Sequence, residues 1–424
     1  MTDLRNPGFD LGKHLKEYIV TYVFVVLSIV FVILSGRPMN DILYQIMSRL
    51  VRNLFIVLSL IIPIVTGMGI NFAITIGAMA AQVGMLLAIN WSITGISGIL
   101  VSALITMPLA GFFGFLIGSL LNRMKGQETI GSLILGYFAN GAYQLLFLFV
   151  FGMIIPLNSK VTIVGATGVR NTLDLNINQL QGAVDNVLRI HFSTALYIVS
   201  GILIVGALAL YATKKMSRKR MIALVALPAV LTAAYHLPFV QPHFSNVYVP
   251  VLTFALVGLL CVFNAGIMKT RLGQQFRAVG QSRTVANAAG INVNRVRLIA
   301  IMISTVLAGW GQILFIQNLG TLQTYSAHEM VGLYAGAAIL VGGASIDRAT
   351  NGQAIIGCLL FHTLFVVAQD AGTAIFGNPV IGEFFRVFLC YGVIAVALVM
   401  YAWKGVKKVT NARPAQTTAA AAGE

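Results

Sequence analysis

Charge is what this 424-residue chain has least of. Only 9% of its residues are Asp, Glu, Lys or Arg, and just 12 are acidic. Soluble domains carry about 25% charged residues, so a water-soluble globular fold is excluded. With 58% hydrophobic residues and a mean hydropathy of +0.87, the chain reads as a polytopic helical membrane protein, all-α. Its apolar runs are continuous rather than alternating, which excludes a transmembrane β-barrel. Cysteine is scarce as well. Cys261, Cys358 and Cys390 each sit inside an apolar run, without metal-ligand spacing and without pairing partners in a loop, so they are expected to be small packing residues. No G-x-x-x-x-G-K-[ST] phosphate loop is present, and Gly12-Lys13-His14 is not one, so the chain cannot hydrolyse ATP by that route. The absence of H-E-x-x-H and G-x-S-x-G removes the residues an intramembrane hydrolase needs. The first apolar run, 18–34, is too long for a cleavable signal peptide and lacks a small-residue cleavage site.

What is present is a series of spans. Twelve candidates fall at 18–34, 52–68, 72–90, 96–120, 131–153, 194–212, 221–236, 249–265, 297–316, 329–344, 352–369 and 381–402, each near the length a bilayer requires. With both termini on the cytoplasmic side, 21 of the 28 Lys and Arg residues fall inside, as the positive-inside rule demands. This distribution, rather than nucleic-acid binding, accounts for the net charge of +16. The resulting organisation is a cytoplasmic lead-in at 1–17, a membrane domain at 18–409 and a low-complexity, disordered tail at 410–424. The membrane domain includes an extracytoplasmic loop at 154–193 and a basic cytoplasmic loop at 266–297. The extracytoplasmic loop contains VTIVGATGVRNTLDLNINQL and is expected to form a small cap with short strands or a short helix.

Polar side chains inside spans are costly and tend to face the bundle interior. The neutral amides Asn71, Gln82, Asn140, Gln144 and Gln312 are candidates for a solute pathway, because amides both donate and accept hydrogen bonds. Gln317 is a further buried amide, and interhelical hydrogen bonding is the commoner fate of all six. His362 is expected to be a hydrogen-bonded packing residue, and Glu383 with Arg386 an i,i+3 pair. Gly67 and Gly69, beside Asn71, weaken the helix there. Backbone broken at membrane depth persists only where protein or a watery cavity surrounds it, and transporters place such breaks at substrate sites; a plain turn between two spans is the alternative, and both hold if the turn lies mid-membrane. Gly111, Gly114 and Gly118, and likewise Gly201 and Gly206, are expected helix-packing surfaces. Gly342-Gly343 is expected to break the short span before Asp347.

The most informative stretch is 270–317, TRLGQQFRAVGQSRTVANAAGINVNRVRLIAIMISTVLAGWGQILFIQ. A basic, polar half leads directly into an apolar span. TVANAA is a good helix and Gly290 a natural C-terminal cap, so a short helix across the membrane surface is expected. A plain positive-inside anchor that attracts anionic lipid is the alternative use of such a loop. The spacing RAVG-x9-GI-x-V-x-R-x4-A-x7-AG-x-G resembles the cytoplasmic coupling loop of ABC importer permeases of the branched-chain amino acid and ribose type. GINFAITIGAMAAQVGMLLAIN (69–90) and LYAGAAILVGGASIDRATNGQAIIGCLLFHTLFVV (333–367) fit the same family. The chain departs from the family pattern at Ser282, at Val285-Ala286 and at Asn71-Phe72-Ala73, the last of which bears on substrate class.

The resemblance implies a type II ABC importer-like bundle of about 10–12 spans in the bacterial inner membrane, not itself an enzyme. It implies Arg277, Gly280, Arg283, Ala286, Gly290 and Arg295 as the coupling surface. It implies partners: cytoplasmic ATPase subunits that carry ATP and Mg, a second permease subunit, and an extracytoplasmic solute-binding protein. The chain itself then holds no cofactor or metal, and the solute is a sugar, nucleoside or related hydrophilic molecule. Two other readings are an ion-gradient-driven secondary transporter, against which the scarcity of buried charge counts, and a non-transporting membrane scaffold.

Overall fold

The computed structural model describes residues 18–124, 126–152, 154–157, 168–214, 216–244, 246–345 and 347–412. The expected lead-in, part of the cap and all but the start of the tail lie outside them. The first helices are α1 (Ile19–Ser35), α2 (Met39–Ser59), α3 (Ile61–Val65), α4 (Ile74–Asn90), α5 (Gly95–Arg123) and α6 (Glu128–Leu145). A hairpin of α7 (Phe192–Ala212) and α8 (Arg218–Tyr235) follows, then α9 (Val251–Ile267). The basic loop holds α10 (Arg271–Gln281) and α11 (Arg283–Ala288). The chain ends with α12 (Val293–Leu319), α13 (Val331–Val341), α14 (Asn351–Phe376) and α15 (Pro379–Ala412). The chain is an all-α, multi-pass membrane protein.

A helix stands at each of the twelve expected spans, although not every one is a full crossing. Among the described residues six are long and apolar enough to cross a membrane, and a seventh if α9 and α10, bent by 75° at their break, count as one. α13 has only 11 residues, about 16 Å of helix, roughly half of a ~30 Å hydrocarbon core. It stops at Gly342-Gly343, where the sequence placed a break. α2 begins at Met39 rather than at 52, so Arg49 and Arg52 lie within the helix instead of ahead of it. Packing makes this tolerable: the Arg49 guanidinium lies 4.2 Å from the Phe365 ring centre, and Arg52 Nε donates to Asn318 at 2.6 Å. α15 runs through Ala412, so residues 410–412 are helical rather than part of a disordered tail.

α12 is the central element. Ala300, Ser304, Ala308, Gly311 and Gln312 on it are all buried, and it packs against α5, α4 and α2. Small residues allow this close approach. A Cβ on Gly114 would sit 2.9 Å from the Met302 Cα, and one on Gly118 would meet Leu298. Gly201 and Gly206 behave differently from expectation. A Cβ on either would meet no neighbouring element within 4 Å, because α7 buries only Ser200 and Ala207 and pairs mainly with α8.

Opposite the basic loop, the chain forms a small cap. β1 (Thr172–Asp174) pairs antiparallel with β4 (Thr321–Gln323), and β2 (Arg189–His191) with β3 (Tyr248–Pro250). Buried Leu173, Leu175, Leu180 and Leu322 fill it. Asn178 ties it to the membrane helices, donating to the Ile89 carbonyl at 3.2 Å.

Candidate functional site: a broken helix between a basic loop and an intramembrane cluster

Between α3 and α4 the chain leaves the helix for residues 66–73. Pro63 and two glycines weaken the helix here, and Gly67 has φ +73°, a region that favours glycine. Backbone groups freed at this depth need partners, and side chains from other elements supply them. Ser132 on α6 donates to the Thr129 carbonyl at 2.7 Å, lies 3.4 Å from the Ile70 carbonyl and accepts from Phe72 N at 3.0 Å. Arg283 on α11 donates to the Gly67 carbonyl at 3.1 Å. Asn71 Oδ1 accepts from Ala73 N at 3.2 Å, so Asn71 serves the turn, while its Nδ2 has no partner among the described residues.

The basic loop touches this break directly. Gly280, near the end of α10, lies so close that a Cβ on it would run into the Val65 carbonyl oxygen, and a Cβ on Gly67 would be 2.9 Å from Gly280 Cα. Beside this contact stands an ion triad. Glu128, the first residue of α6, is 6% exposed. It accepts from Arg297 Nη2 at 2.5 Å and pairs with Arg283 Nη2 at 2.8 Å. Arg297 is 1% exposed, so its charge is answered by Glu128 or not at all. α11 starts on a Ser282 cap, whose hydroxyl accepts from Val285 N at 3.3 Å. It ends with Ile291 N bonding the Ala286 carbonyl at 3.0 Å and Gly290 N bonding Asn287 at 3.0 Å, the paired bonds of a Schellman stop, with Gly290 at φ +80°. The six coupling residues nominated from the sequence divide between two faces. Arg277, Gly290 and Arg295 are exposed; Gly280, Arg283 and Ala286 turn toward the membrane helices. Val285 beside them is a large apolar residue 67% exposed.

At the other end of the break a polar cluster is buried among α4, α6, α12 and the turns before α13. Its centre is His328, 0% exposed. Its Nδ1 lies 2.9 Å from Gln82 Oε1 and its Nε2 2.7 Å from Asn140 Oδ1. A neutral imidazole has one N–H, so with one amide turned to present its NH2 both contacts are satisfied. The Tyr143 hydroxyl stands 2.6 Å from Gln82 Oε1 and 2.9 Å from the Thr324 carbonyl. Gln312 donates to the Ala327 carbonyl at 2.9 Å, and Gln144 reaches Asn140 at 3.5 Å. Gln82 Nε2 and Gln312 Oε1 have no partner among the described residues. Next to the cluster is a cavity of about 180 Å³, lined by Phe72, Thr75, Tyr137, Asn140, Glu329 and Met330 among others. Phe72 belongs to the break and Asn140 to the cluster, so the three features meet there.

Four of the five nominated amides thus gather around one histidine. That histidine was missed, because His328 stands in a polar stretch just ahead of an apolar run and reads as loop. Tyr143 was missed because an aromatic inside a span looks like packing. His362 does not fulfil its expectation. It is buried among Phe361, Phe365 and Tyr334, and neither ring nitrogen has a partner among the described residues. Gln317 goes to the cap, where its Oε1 accepts from Val184 N at 3.4 Å. Among those residues no group of three or more His, Cys, Asp or Glu could hold a metal ion.

A multi-pass helical bundle with a broken span, one end under a basic surface loop and the other beside a cavity next to a buried polar cluster, has the build of a membrane permease. The chain belongs to the family described as branched-chain amino acid transport system / permease component, which matches residues 42–398. It is similar to the probable ABC transporter permease protein YphD of Escherichia coli, 29% identical over 35% of this chain and 43% of that one. It is also similar to the autoinducer 2 import system permease protein LsrC of an Enterobacter species, 31% identical over 30% of this chain and 36% of LsrC. A third relative is the xylose transport system permease protein XylH of Haemophilus influenzae, 27% identical over 32% of this chain and 34% of XylH. The chain therefore aligns with well under half the length of these relatives. No solved structure matches it.

Proposed function

We infer that this chain is the transmembrane permease of an ATP-driven importer for a small hydrophilic solute. The observation that carries this reading is that one irregular segment, residues 66–73, is held by the basic loop at Gly67 and lines, at Phe72, the cavity beside the polar cluster. A displacement of α10 and α11 therefore acts on the cavity through six residues of backbone, Gly67 to Phe72, with no long relay. The energy source is a separate polypeptide, an ABC-type ATPase that docks on the exposed side of α10 and α11, where Arg277, Val285, Gly290 and Arg295 lie. A second permease subunit completes the pathway, and a solute-binding protein delivers to the cap face. Both termini are cytoplasmic, as the distribution of basic residues supports. The solute contact is Asn140, which lines the cavity and whose amide complements a hydroxyl group; Gln82, Gln312 and His328 are buried behind it. The names of the relatives, for xylose and autoinducer 2, agree with a hydroxylated solute.

The test is uptake of radiolabelled xylose, ribose and uridine in the native host, with Asn140→Ala as the comparison strain. The expected result is uptake that vanadate abolishes, that a protonophore spares, and that falls at least tenfold in Asn140→Ala at equal membrane abundance. Uptake abolished by the protonophore and untouched by vanadate would favour the secondary transporter.

A further inference from the structure

A second, larger cavity lies on the cap face, away from α10 and α11. It encloses about 310 Å³ between α2, the cap, β3 and the end of α12. Its floor is a fixed polar network. Asn318 Oδ1 accepts from Arg52 Nε at 2.6 Å and from Ser48 Oγ at 3.4 Å, while its Nδ2 donates to Asp185. Asp185 is 6% exposed and also accepts from Thr253, so its charge is answered within the wall. Only one of the five guanidinium N–H groups of Arg52 is engaged in this network. The rim is different in kind. Gln181 and Tyr44 are exposed and Asn186 accepts from Arg189 at 3.3 Å, whose guanidinium stands 5.6 Å from the Tyr248 ring centre.

This composition selects a chemistry. Amides and phenols both donate and accept, which matches hydroxyl groups. Two tyrosine rings offer apolar faces to the C–H side of a sugar ring. Two arginines against one satisfied carboxylate disfavour a cation. The volume is at the small end of the about 300–1,000 Å³ typical of small-molecule sites, which fits a single sugar ring. We propose that this cavity is a receiving site for a small, uncharged, polyhydroxylated solute of monosaccharide size, separate from the His328 cluster. Asn318 in its floor and Gln312 in the cluster lie six residues apart on α12, about 9 Å of helix, so the two sites form successive stations along one helix. The proposal rests on the importer reading for the direction of movement alone; binding at the cavity requires no ATPase.

The experiment uses the purified full chain in lipid nanodiscs, with D-ribose and D-xylose as probes read by saturation-transfer difference NMR. The expected result is a saturable signal for at least one sugar. The double variant Tyr44→Ala/Gln181→Ala, which removes two exposed rim groups and leaves the Asn318–Asp185 network intact, weakens it at least tenfold. D-glucosamine binds more weakly than either sugar. No saturable signal, or equal signals from the wild type and the rim variant, overturns the receiving site. So does a rim variant that binds sugar normally but no longer captures a solute-binding protein, which gives the surface to a protein partner. Vanadate-sensitive uptake with no sugar signal sinks this site and spares the importer reading, whereas a sugar signal with protonophore-sensitive uptake does the reverse.

Discussion

Glu128 is the residue on which the coupling geometry turns. Its one carboxylate answers two arginines, one on the surface helix α11 and one at the foot of the central helix α12. Removing one member of a buried pair leaves an uncompensated charge and costs about 3–5 kcal/mol. Glu128→Gln is therefore expected to lower the melting temperature of the detergent-solubilised chain markedly, while Glu128→Met with Arg297→Met recovers part of the loss. A Glu128→Gln variant as stable as the wild type would show that the triad holds nothing. Nothing near Glu128 in the sequence points to this role: its partner Arg297 stands 169 positions away, and the residue reads as an ordinary charge in a short loop. Asn140 and Gln82 were legible because a lone amide in an apolar run is conspicuous. His328 was not, since its neighbourhood is polar and its burial is a product of tertiary folding alone.

At the scale of elements, α10 and α11 differ sharply in what their glycines do. Gly280 is a contact glycine, pressed against the Val65 carbonyl, whereas a Cβ on Gly290 would meet nothing within 4 Å, leaving only its positive φ to satisfy. Gly280→Ala is therefore expected to drive α10 off the break and reduce uptake at least tenfold. Gly290→Ala should cost about 1–2 kcal/mol, the penalty of a left-handed non-glycine residue, and leave most uptake in place. Uptake assays on both variants at matched abundance check this, and equal losses would contradict it. The short helix and its glycine stop could be read directly from TVANAAG, because capping is local chemistry. The break at Gly342-Gly343 was equally legible. The start of α2 was not, since two arginines ahead of an apolar run look like a flanking loop until Phe365 and Asn318 are brought beside them by folding. The silence of Gly201 and Gly206 has the same origin: small residues permit close packing, but a neighbour must be there to use it.

For the whole molecule, the fold class followed from the shortage of charge, since a chain with so few ionisable groups can only be solvated by lipid. The number of full crossings did not follow, because α13 is a half-length helix whose apolar sequence differs little from that of a spanning one. The central claim is that α10 and α11 form the docking surface of a separate ATPase and transmit its movement to residues 66–73. The most direct measurement is a gentle-detergent purification of the tagged chain from its native host, wild type beside Gly290→Trp, with the bound proteins identified. An ABC-type ATPase that copurifies with the wild type and is reduced at least tenfold with the stable Gly290→Trp variant is the predicted result. Stable protein that brings down no ATPase in either sample, or the same amount in both, would contradict it.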